Sequence, residues 1–249
     1  MFKKKGNHRE QALKKAADNP AYRPDFYKLL LESNVFIVGQ SDNPIEGKRM
    51  TNVGENASIL NWKRDNGSPL IPFFSSLNSL TKAFPEGTNY IDLPARALFE
   101  MTKGVFLFLD PKSAYGKEFY PDEIEALLTS GVNKLPERRV TKEKTEVILG
   151  QPENYPTEIV ESLKTLFKNR ESVKAAYVAL MHDPTHDEKP HLIIGINADG
   201  DVEQIIKEAG AIASDLGPKG EPVDFTPIKD GGTGIQQYFI NNVKPFYKR

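Results

Sequence analysis

The sequence predicts an α+β protein built from two consecutive domains. Short apolar strand-like runs alternate with helical segments along the chain, and one charged stretch with few apolar residues, "VNKLPERRVTKEKT", interrupts them near the middle. The 249 residues are 39% hydrophobic, which suffices for two packed cores of ordinary size. We place the boundary at Arg139, so that the predicted domains are residues 1–139 and 140–249.

The N-terminal domain opens with two predicted helices. "HREQALKKAADN" is rich in helix-forming residues and stops before Pro20, and "RPDFYKLLLES" has Pro24 near its start and apolar residues on one face. The apolar run "NVFIVG" then predicts a strand. "ASILNWKRDNGSPLIPFFSS" predicts a hairpin, because two apolar arms flank the turn-forming residues 65–68.

The second part of this domain continues the alternation of helices and strands. Ser76 or Asn78 can cap a helix over "LNSLTKAF", "NYIDL" predicts a strand, and "PARALFEMTKG" predicts a helix. The uninterrupted apolar run "VFLFLD" predicts a central strand buried on both faces. "EFYPDEIEALLTSG" adds a helix with Pro121 at its first position. We therefore expect a mixed sheet of α/β character.

The C-terminal domain shows a second succession of elements. Strands are predicted over "EVILG", "VKAAYVALM", "HLIIGIN" and "EPVDFTPI", and helices over "PTEIVESLKTLFKN", "DVEQIIKEAGAIASDLG" and "IQQYFINNV". Asn197 to Gly200 form a predicted turn, and Asp201 is the expected cap of the next helix. The order β-α-β-β-α-β predicts a ferredoxin-like split β-α-β unit with an added C-terminal helix.

Composition and charge exclude several classes of function. The formal net charge of −1 provides no basic field for nonspecific nucleic-acid binding, and the absence of cysteine removes disulfides and thiolate sites. No apolar segment follows the charged start "MFKKKGNHREQ", and no run approaches the ~20 apolar residues of a membrane span. We expect a cytoplasmic protein that binds neither nucleic acid nor membrane.

Three of the four histidines lie in "MHDPTHDEKPH", between two predicted strands. His182, His186 and His191, with Asp183 or Asp187, offer ligands that suit zinc or nickel. The metalloprotease pattern H-E-x-x-H needs a helix and a glutamate after the first histidine, and this proline-containing stretch has neither. We expect a solvated hairpin loop and keep a divalent-metal site as an alternative.

No motif requires catalysis or a cofactor. The stretch "KDGGTGIQQ" opens a predicted helix, where backbone N–H groups could cradle an anion, but it lacks the ending of a phosphate-binding P-loop. Thr233 is the expected cap of that helix. The chain has no G-x-S-x-G nucleophile motif and no cysteine. We therefore expect no cofactor and a protein that is not an enzyme.

Several motifs together resemble a known family. "NPAYRPDFYKLLLESNVFIVG", "PLIPFFSSLNSL", "LPARALFEMTKG" and "SAYGKEFYPDEIEALL" resemble the N-terminal domain of the enhanced serine sensitivity protein (SseB) family. "VILGQPENYPTEIVESLKTLF", "VKAAYVALM" and "HLIIGINADGDVEQIIKEAG" resemble its C-terminal domain. The resemblance implies a bacterial, cytosolic, two-domain protein linked by name to a serine-sensitivity phenotype, and it offers no catalytic residues to carry over.

The candidate binding residues lie between the predicted buried strand and the following helix, a position where α/β proteins often place ligand contacts: Tyr115, Gly116, Lys117 and Glu118. Structural interpretations stay open, since Gly116 could adopt a positive φ and Lys117 could pair with Glu118. Arg96 and Gln151, which follow other predicted strands, complete the set.

Three functions follow as expectations. The first is a non-catalytic binding or regulatory protein whose N-terminal domain presents these residues to a protein or a small polar ligand. The second, suggested by the phenotype in the family name, is an enzyme or small-molecule sensor of amino-acid metabolism. The third is a divalent-metal binder through the histidine loop.

Overall fold

The computed structural model describes residues 4–41, 57–134, 146–217 and 221–249. The chain divides into two compact units, of which the first comprises Met1–Asp18 and Arg23–Lys134 and the second Asn19–Tyr22 and Leu135–Arg249. Each unit combines helices with a sheet, so the predicted α+β class is confirmed. The predicted boundary at Arg139 lies outside the described residues.

The first unit places several helices around one seven-stranded sheet. Its helices are α1 (Lys4–Asp18), α2 (Arg23–Leu31), α3 (Leu77–Ala83), α4 (Ala95–Met101) and α5 (Pro121–Ser130). Its strands are β1 (Asn34–Ser41), β2 (Ala57–Ile59), β3 (Trp62–Lys63), β4 (Pro69–Phe74), β5 (Tyr90–Pro94), β6 (Phe106–Leu109) and β7 (Lys117–Phe119).

The strand order of this sheet is β2-β1-β4-β6-β7, with β3 paired to β4 and β5 paired to β1. The predicted hairpin is present, because Trp62 pairs with Leu70 across the turn that contains Gly67 at a φ of 80°. β4 and β6 run parallel, whereas their other neighbours are antiparallel. The carboxyl ends of β4 and β6 therefore meet at one edge of the sheet.

The two faces of the sheet are covered to different extents. On the inner face, Phe73 packs against Phe99 of α4, and Phe119 packs against Tyr27 of α2. On the opposite, outer face, Phe106 and Phe108 are only half-buried, whereas Leu107 and Leu109, which alternate with them along the strand, are fully buried on the inner face. The expectation that this strand is buried on both faces is wrong, because its side chains alternate between a helix-covered face and a partly open one.

The second unit follows the predicted succession of elements. After a 3-10 turn (Pro20–Tyr22), it contains β8 (Ile148–Gly150), α6 (Thr157–Lys168), β9 (Val173–His182), β10 (His191–Ala198), α7 (Val202–Leu216), β11 (Val223–Pro227), α8 (Ile235–Asn242) and β12 (Tyr247–Lys248). As predicted, Asp201 caps α7 by accepting a hydrogen bond from the Gln204 N–H at 3.1 Å.

The pairing in this sheet corrects the ferredoxin-like expectation. The strand order is β11-β10-β9-β12, and β8 also pairs with β9. A split β-α-β unit places another strand between its two parallel strands, whereas β10 and β11 are direct neighbours. Because β9 and β10 form a hairpin and α7 returns the chain beside β10, the main strands lie largely in chain order.

The core of the second unit lies on both faces of this sheet. Ile194 and Ile196 of β10 pack in a core with side chains of α6 and α7, whereas Ile193 faces Phe239 of α8. Ala21, from the short N-terminal segment 19–22, is fully buried within the α6–α7 core. No helix in the described ranges is long and apolar enough to cross a membrane.

Candidate functional site

Polar residues meet where the parallel strands β4 and β6 end. Ser75 follows β4, and Asp110 follows β6. The Ser75 N–H donates to Oδ1 of Asp110 at 2.9 Å, and its hydroxyl donates to Oδ2 at 2.5 Å. Asp110 is only 2% exposed, so this contact is a buried clasp between the two strand ends.

Asp110 also has a strained backbone. Its φ of 47° makes it the one non-glycine residue with positive φ in the described part of the chain. Such conformations cost about 1–3 kcal/mol and persist where surrounding contacts hold them. Here the Asp110 N–H donates to the Phe73 carbonyl at 2.9 Å, and the Asp110 carbonyl accepts from the Ser113 N–H at 2.8 Å. The clasp thus fixes the start of the loop formed by residues 110–116.

The electrostatic environment of the clasp shifts the pKa of its carboxyl group. Burial raises the pKa of Asp110, hydrogen bonds from Ser75 and Ser79 oppose that shift, and the negative charge of Glu10 adds to it. Glu10, on α1, accepts a hydrogen bond at 2.8 Å from the hydroxyl of Ser76, which in turn caps α3 as predicted. The clasp is therefore joined to α1 through a continuous polar network.

A basic residue of α1 lies beside the same network. Arg9 donates to the backbone carbonyl of Asn34 at the start of β1. Burial lowers the pKa of the Arg9 guanidinium, and the charges of Asp110, Asp92 and Glu10 act in the opposite direction. We call the set Arg9, Glu10, Ser75, Ser76, Ser79 and Asp110 the strand-end cluster.

Gly116 closes the loop that Asp110 opens. It does not adopt the positive φ considered for it. Instead, a Cβ atom at this position would lie 2.8 Å from the carbonyl oxygen of Asp110 and 3.1 Å from the Phe108 ring. Close backbone approach is therefore the reason for a glycine here.

Lys117 and Glu118 lie on opposite faces of β7, so they do not form the ion pair that was considered between them. The Lys117 ammonium lies 2.9 Å from a carboxylate oxygen of Glu123, on the inner side. The Glu118 carboxylate lies 2.8 Å from Nε of Arg64, on the outer side. Alternation along a strand separates neighbouring side chains, and each of these two has a partner from another element.

Tyr115 is the candidate residue that the loop presents at the surface. Its side chain is half-buried, and the Lys14 ammonium of α1 lies 5.6 Å from the centroid of its ring. That distance is within the range of a cation–π contact. Lys112, in the same loop, is exposed. The loop and the neighbouring Lys14 of α1 therefore combine an aromatic ring with two exposed ammonium groups.

Arg96 lies away from this loop within the first unit, and Gln151 belongs to the second unit. Arg96 is exposed on α4, and its Nη1 donates to the Leu128 carbonyl near the end of α5 at 3.4 Å. That end is separated from β7 by most of the length of α5, about 10 Å at 1.5 Å per residue. Gln151 follows β8 and is an exposed residue of the second unit.

The histidine loop forms the predicted connection between β9 and β10, and most of its residues are exposed as expected, whereas Asp183 and His191 are buried. The His191 side chain is 4% exposed, with Nε2 2.9 Å from Asp224 and Nδ1 3.5 Å from Asp187. His186 is mostly exposed, and its Nδ1 lies 2.9 Å from Asp183. Each ring nitrogen of His191 thus faces a carboxylate group.

These contacts do not converge on a metal position. No group of three or more histidine, cysteine, aspartate or glutamate side chains within the described ranges is placed to hold a metal ion. A histidine binds a metal ion through the free lone pair of a ring nitrogen, and both ring nitrogens of His191 face carboxylates instead.

The glycine-rich turn before α8 differs from its predicted form. Gly234, with a φ of 64°, occupies the cap position and makes no side-chain cap bond, so the expectation for Thr233 is wrong. A cavity of about 280 Å³ lies beside this turn, lined by Gly231, Gly232, Thr233, Gln237, Ile240 and Asn241. None of these lining side chains is charged, which gives an anion no cationic partner there.

Comparison with known proteins identifies the chain. The family model of the SseB protein N-terminal domain matches residues 10–126, and that of the SseB protein C-terminal domain matches residues 141–249. The chain belongs to the SseB family. Protein SseB of Escherichia coli (strain K12) is 37% identical over 246 residues, covering 98% of this chain and 92% of the relative. Protein SseB of Shigella flexneri matches to the same extent. No solved structure matches the chain.

Sequence reasoning missed the strand-end cluster of this SseB-family protein. A signal was present, since "PFFSS" and "VFLFLD" each place polar residues directly after an apolar strand. The sequence alone does not show that these two strands pair with each other. Only the parallel register of β4 and β6 shows that Ser75 and Asp110 meet.

Proposed function

We propose that this SseB-family protein is a non-catalytic cytosolic binding protein that recognises an acidic partner through the loop of residues 111–116. The observation that carries the proposal is Asp110, a buried residue with positive φ at the carboxyl ends of two parallel strands. Strained backbone concentrates at functional sites, and ligands of α/β sheets bind beyond the carboxyl ends of the strands.

The clasp supports binding because it gives the loop a fixed shape. Asp110 and Gly116 hold the two ends of the loop at short backbone distances. A surface that is ordered before binding loses less conformational entropy when a partner docks. Tyr115, Lys112 and Lys14 then present one aromatic ring and two ammonium groups, which suit the carboxylates of an acidic protein segment.

The same geometry argues for binding without catalysis. Both carboxylate oxygens of Asp110 accept hydrogen bonds from Ser75, and the residue is 2% exposed. A general acid or base must reach the substrate proton within hydrogen-bond distance. Asp110 is therefore better suited to positioning the loop than to reacting. A cytosolic location agrees with the absence of cysteine.

Affinity capture from extract of the source bacterium tests this function. We expect the wild type to capture a partner protein. The captured amount of that protein should fall at least tenfold with Lys14→Glu or with Tyr115→Ala. Lys103→Glu is the matched control, because Lys103 is an exposed lysine in the turn after α4. Equal capture by all four proteins would show that the loop is not the binding surface. Circular dichroism confirms that each variant is folded.

A small-molecule sensor of amino-acid metabolism is the second candidate. The convergence of Asp110, Glu10 and Arg9, with shifted pKa values at Asp110 and Arg9, favours it, because such shifts cluster at functional sites. Thermal-shift measurements with serine, other amino acids and keto acids test it. A ligand present at 100 times its Kd stabilises the fold by about 2.7 kcal/mol. Absence of any shift across the set would remove this candidate.

A further inference from the structure

The loop between β9 and β10 is closed by the carboxylate of Asp187. Its Oδ2 accepts a hydrogen bond from the Asp183 N–H at 2.9 Å, and in return the Asp187 N–H donates to the Asp183 carbonyl at 2.8 Å. The two residues therefore hold the start and the middle of the loop together. Any force on the Asp187 carboxylate acts on both of these hydrogen bonds.

His191 places its ring between this carboxylate and the neighbouring strand β11. The His191 side chain is buried at the start of β10, with Nδ1 3.5 Å from Oδ2 of Asp187 and Nε2 2.9 Å from Oδ2 of Asp224. Oδ2 of Asp187 is the same atom that accepts from the Asp183 N–H. One imidazole thus links the closure of the loop to β11.

The charge of the ring decides whether both carboxylates are attracted to it. A neutral imidazole has one N–H donor and one nitrogen lone pair, whereas an imidazolium has two donors. Because the Nε2 contact is the shorter one, the neutral ring donates to Asp224 and leaves its Nδ1 lone pair facing Asp187. The lone pair and the carboxylate repel each other, and burial strengthens the repulsion because the local dielectric constant is low.

The other ionisable groups around the ring do not share this position. His186 pairs with Asp183, at 2.9 Å from its Nδ1. His182 lies on the opposite face of β9, because Met181 is the residue that pairs with His191. The remaining ionisable side chains of the loop and of the core beside α8 are the exposed Glu188 and Lys189 and the partly buried Tyr177 and Tyr238.

We propose that His191 is a pH-sensitive latch, which holds the β9–β10 loop closed against β11 when its imidazole is protonated and releases the Asp187 carboxylate when it is neutral. Histidines ordinarily change charge between about pH 5 and pH 8, so the loop opens as the pH rises through this range. A local charge change that biases a two-state element is a general form of pH sensing. The latch is independent of the proposed function, which uses Lys14 and Tyr115.

Hydrogen exchange at two pH values tests the latch through the amides of Asp183 and Asp187. Protection factors are the readout, because they remove the intrinsic effect of pH on exchange. We expect protection in the wild type to fall about tenfold from about pH 5.5 to about pH 8, the scale of one hydrogen bond to a charged group. His191→Gln cannot change its charge and should show equal protection at both pH values.

His186→Gln is the matched control, since it removes the exposed histidine of the same loop and should keep the response of the wild type. Asp187→Asn retains the imidazole but removes the charge that the neutral ring repels, so it should lose the response. It decides the question if His191→Gln does not fold. Equal protection of the wild type at both pH values overturns the proposal, as does a response that survives in Asp187→Asn or disappears in His186→Gln.

Discussion

At the scale of single residues, Asp110 combines two unfavourable features that neighbouring contacts hold in place. Its carboxylate is removed from water, and its φ is positive. Two hydrogen bonds from Ser75 satisfy the carboxylate, and the Phe73 carbonyl accepts from its backbone. A residue that costs stability and is nevertheless held by this many contacts is a candidate for function, and its cost can be measured.

Asp110→Asn tests the buried charge through the pH dependence of stability. Because burial raises the pKa of Asp110, its carboxyl group is still protonated in the folded state at pH values where it is already ionised in the unfolded chain. The resulting stabilisation is fully present below the ordinary aspartate pKa of about 3.9 and is lost as pH rises through the folded-state pKa. The asparagine variant should therefore lose less stability than the wild type over that rise.

Urea unfolding from about pH 4 to about pH 7 measures this difference. Asp65→Asn is the control, because Asp65 is exposed in the β3–β4 turn and should leave the slope of stability against pH unchanged. Identical slopes for the wild type and Asp110→Asn would contradict the raised pKa of the buried carboxyl group.

Gly116→Ala tests the close approach at the end of the loop. The new Cβ would lie 2.8 Å from a backbone oxygen, so the chain must shift, and we expect a loss of about 1–3 kcal/mol in the free energy of unfolding. Gly150→Ala is the matched control, since a Cβ there meets nothing within 4 Å and should change stability by less than about 0.5 kcal/mol. Chemical denaturation compares the two, and equal losses would contradict the steric account.

At the scale of elements, the sequence predicted long, strongly patterned segments well and short ones poorly. The two opening helices, the β3–β4 hairpin and the Asp201 cap follow from local chemistry and are confirmed. β7 was not predicted, because "KEF" has no apolar alternation of its own and becomes a strand by pairing with β6. Pairing also decides which side chains meet, and it is not a local property.

The aromatic character of β6 shows the same limit. "VFLFLD" cannot reveal which of its faces a helix covers, because every side chain in the run is apolar before the final aspartate. The structure shows that Leu107 and Leu109 face the core, whereas the phenylalanines face the open side. For the same reason, the histidine loop could be placed as a connection, while the burial of His191 against β11 could not be predicted.

His191→Ala tests the role of that loop. Removing the imidazole withdraws a hydrogen-bonding partner from the carboxylates of Asp187 and Asp224, and we expect a loss of about 1–3 kcal/mol, the usual cost of leaving a buried polar group without a partner. His186→Ala is the control, since that side chain is 57% exposed and should cost less than about 0.5 kcal/mol. Thermal unfolding distinguishes them. Comparable small losses would show that the His191 contacts are not stabilising.

At the scale of the whole molecule, the two units are not simply the first and second halves of the chain. Asn19–Tyr22 belongs to the second unit although α1 and α2 on either side belong to the first. Sequence reasoning assigned residues 1–139 to one domain, because a four-residue excursion leaves no compositional signal. Folding of the second unit is therefore expected to depend on residues far from it in sequence.

Ala21→Leu tests this dependence. Ala21 is fully buried in the α6–α7 core, and the larger side chain should destabilise the second unit by about 1–3 kcal/mol. Hydrogen exchange should accelerate at the amides of α6 and α7 more than at those of β4 and β6. Ala17→Leu is the control, because Ala17 is exposed on α1. Unchanged exchange in α6 and α7 would remove the segment from the core of the second unit.

The central claim is that the loop held by Asp110 and Gly116 is the binding surface. Hydrogen exchange of the wild-type chain with and without the captured partner tests it most directly. We predict that protection on binding is greatest at residues 111–117 and in α1 around Lys14, and that Tyr115→Ala abolishes it. Protection confined to other parts of the chain, or unchanged by Tyr115→Ala, would contradict the account.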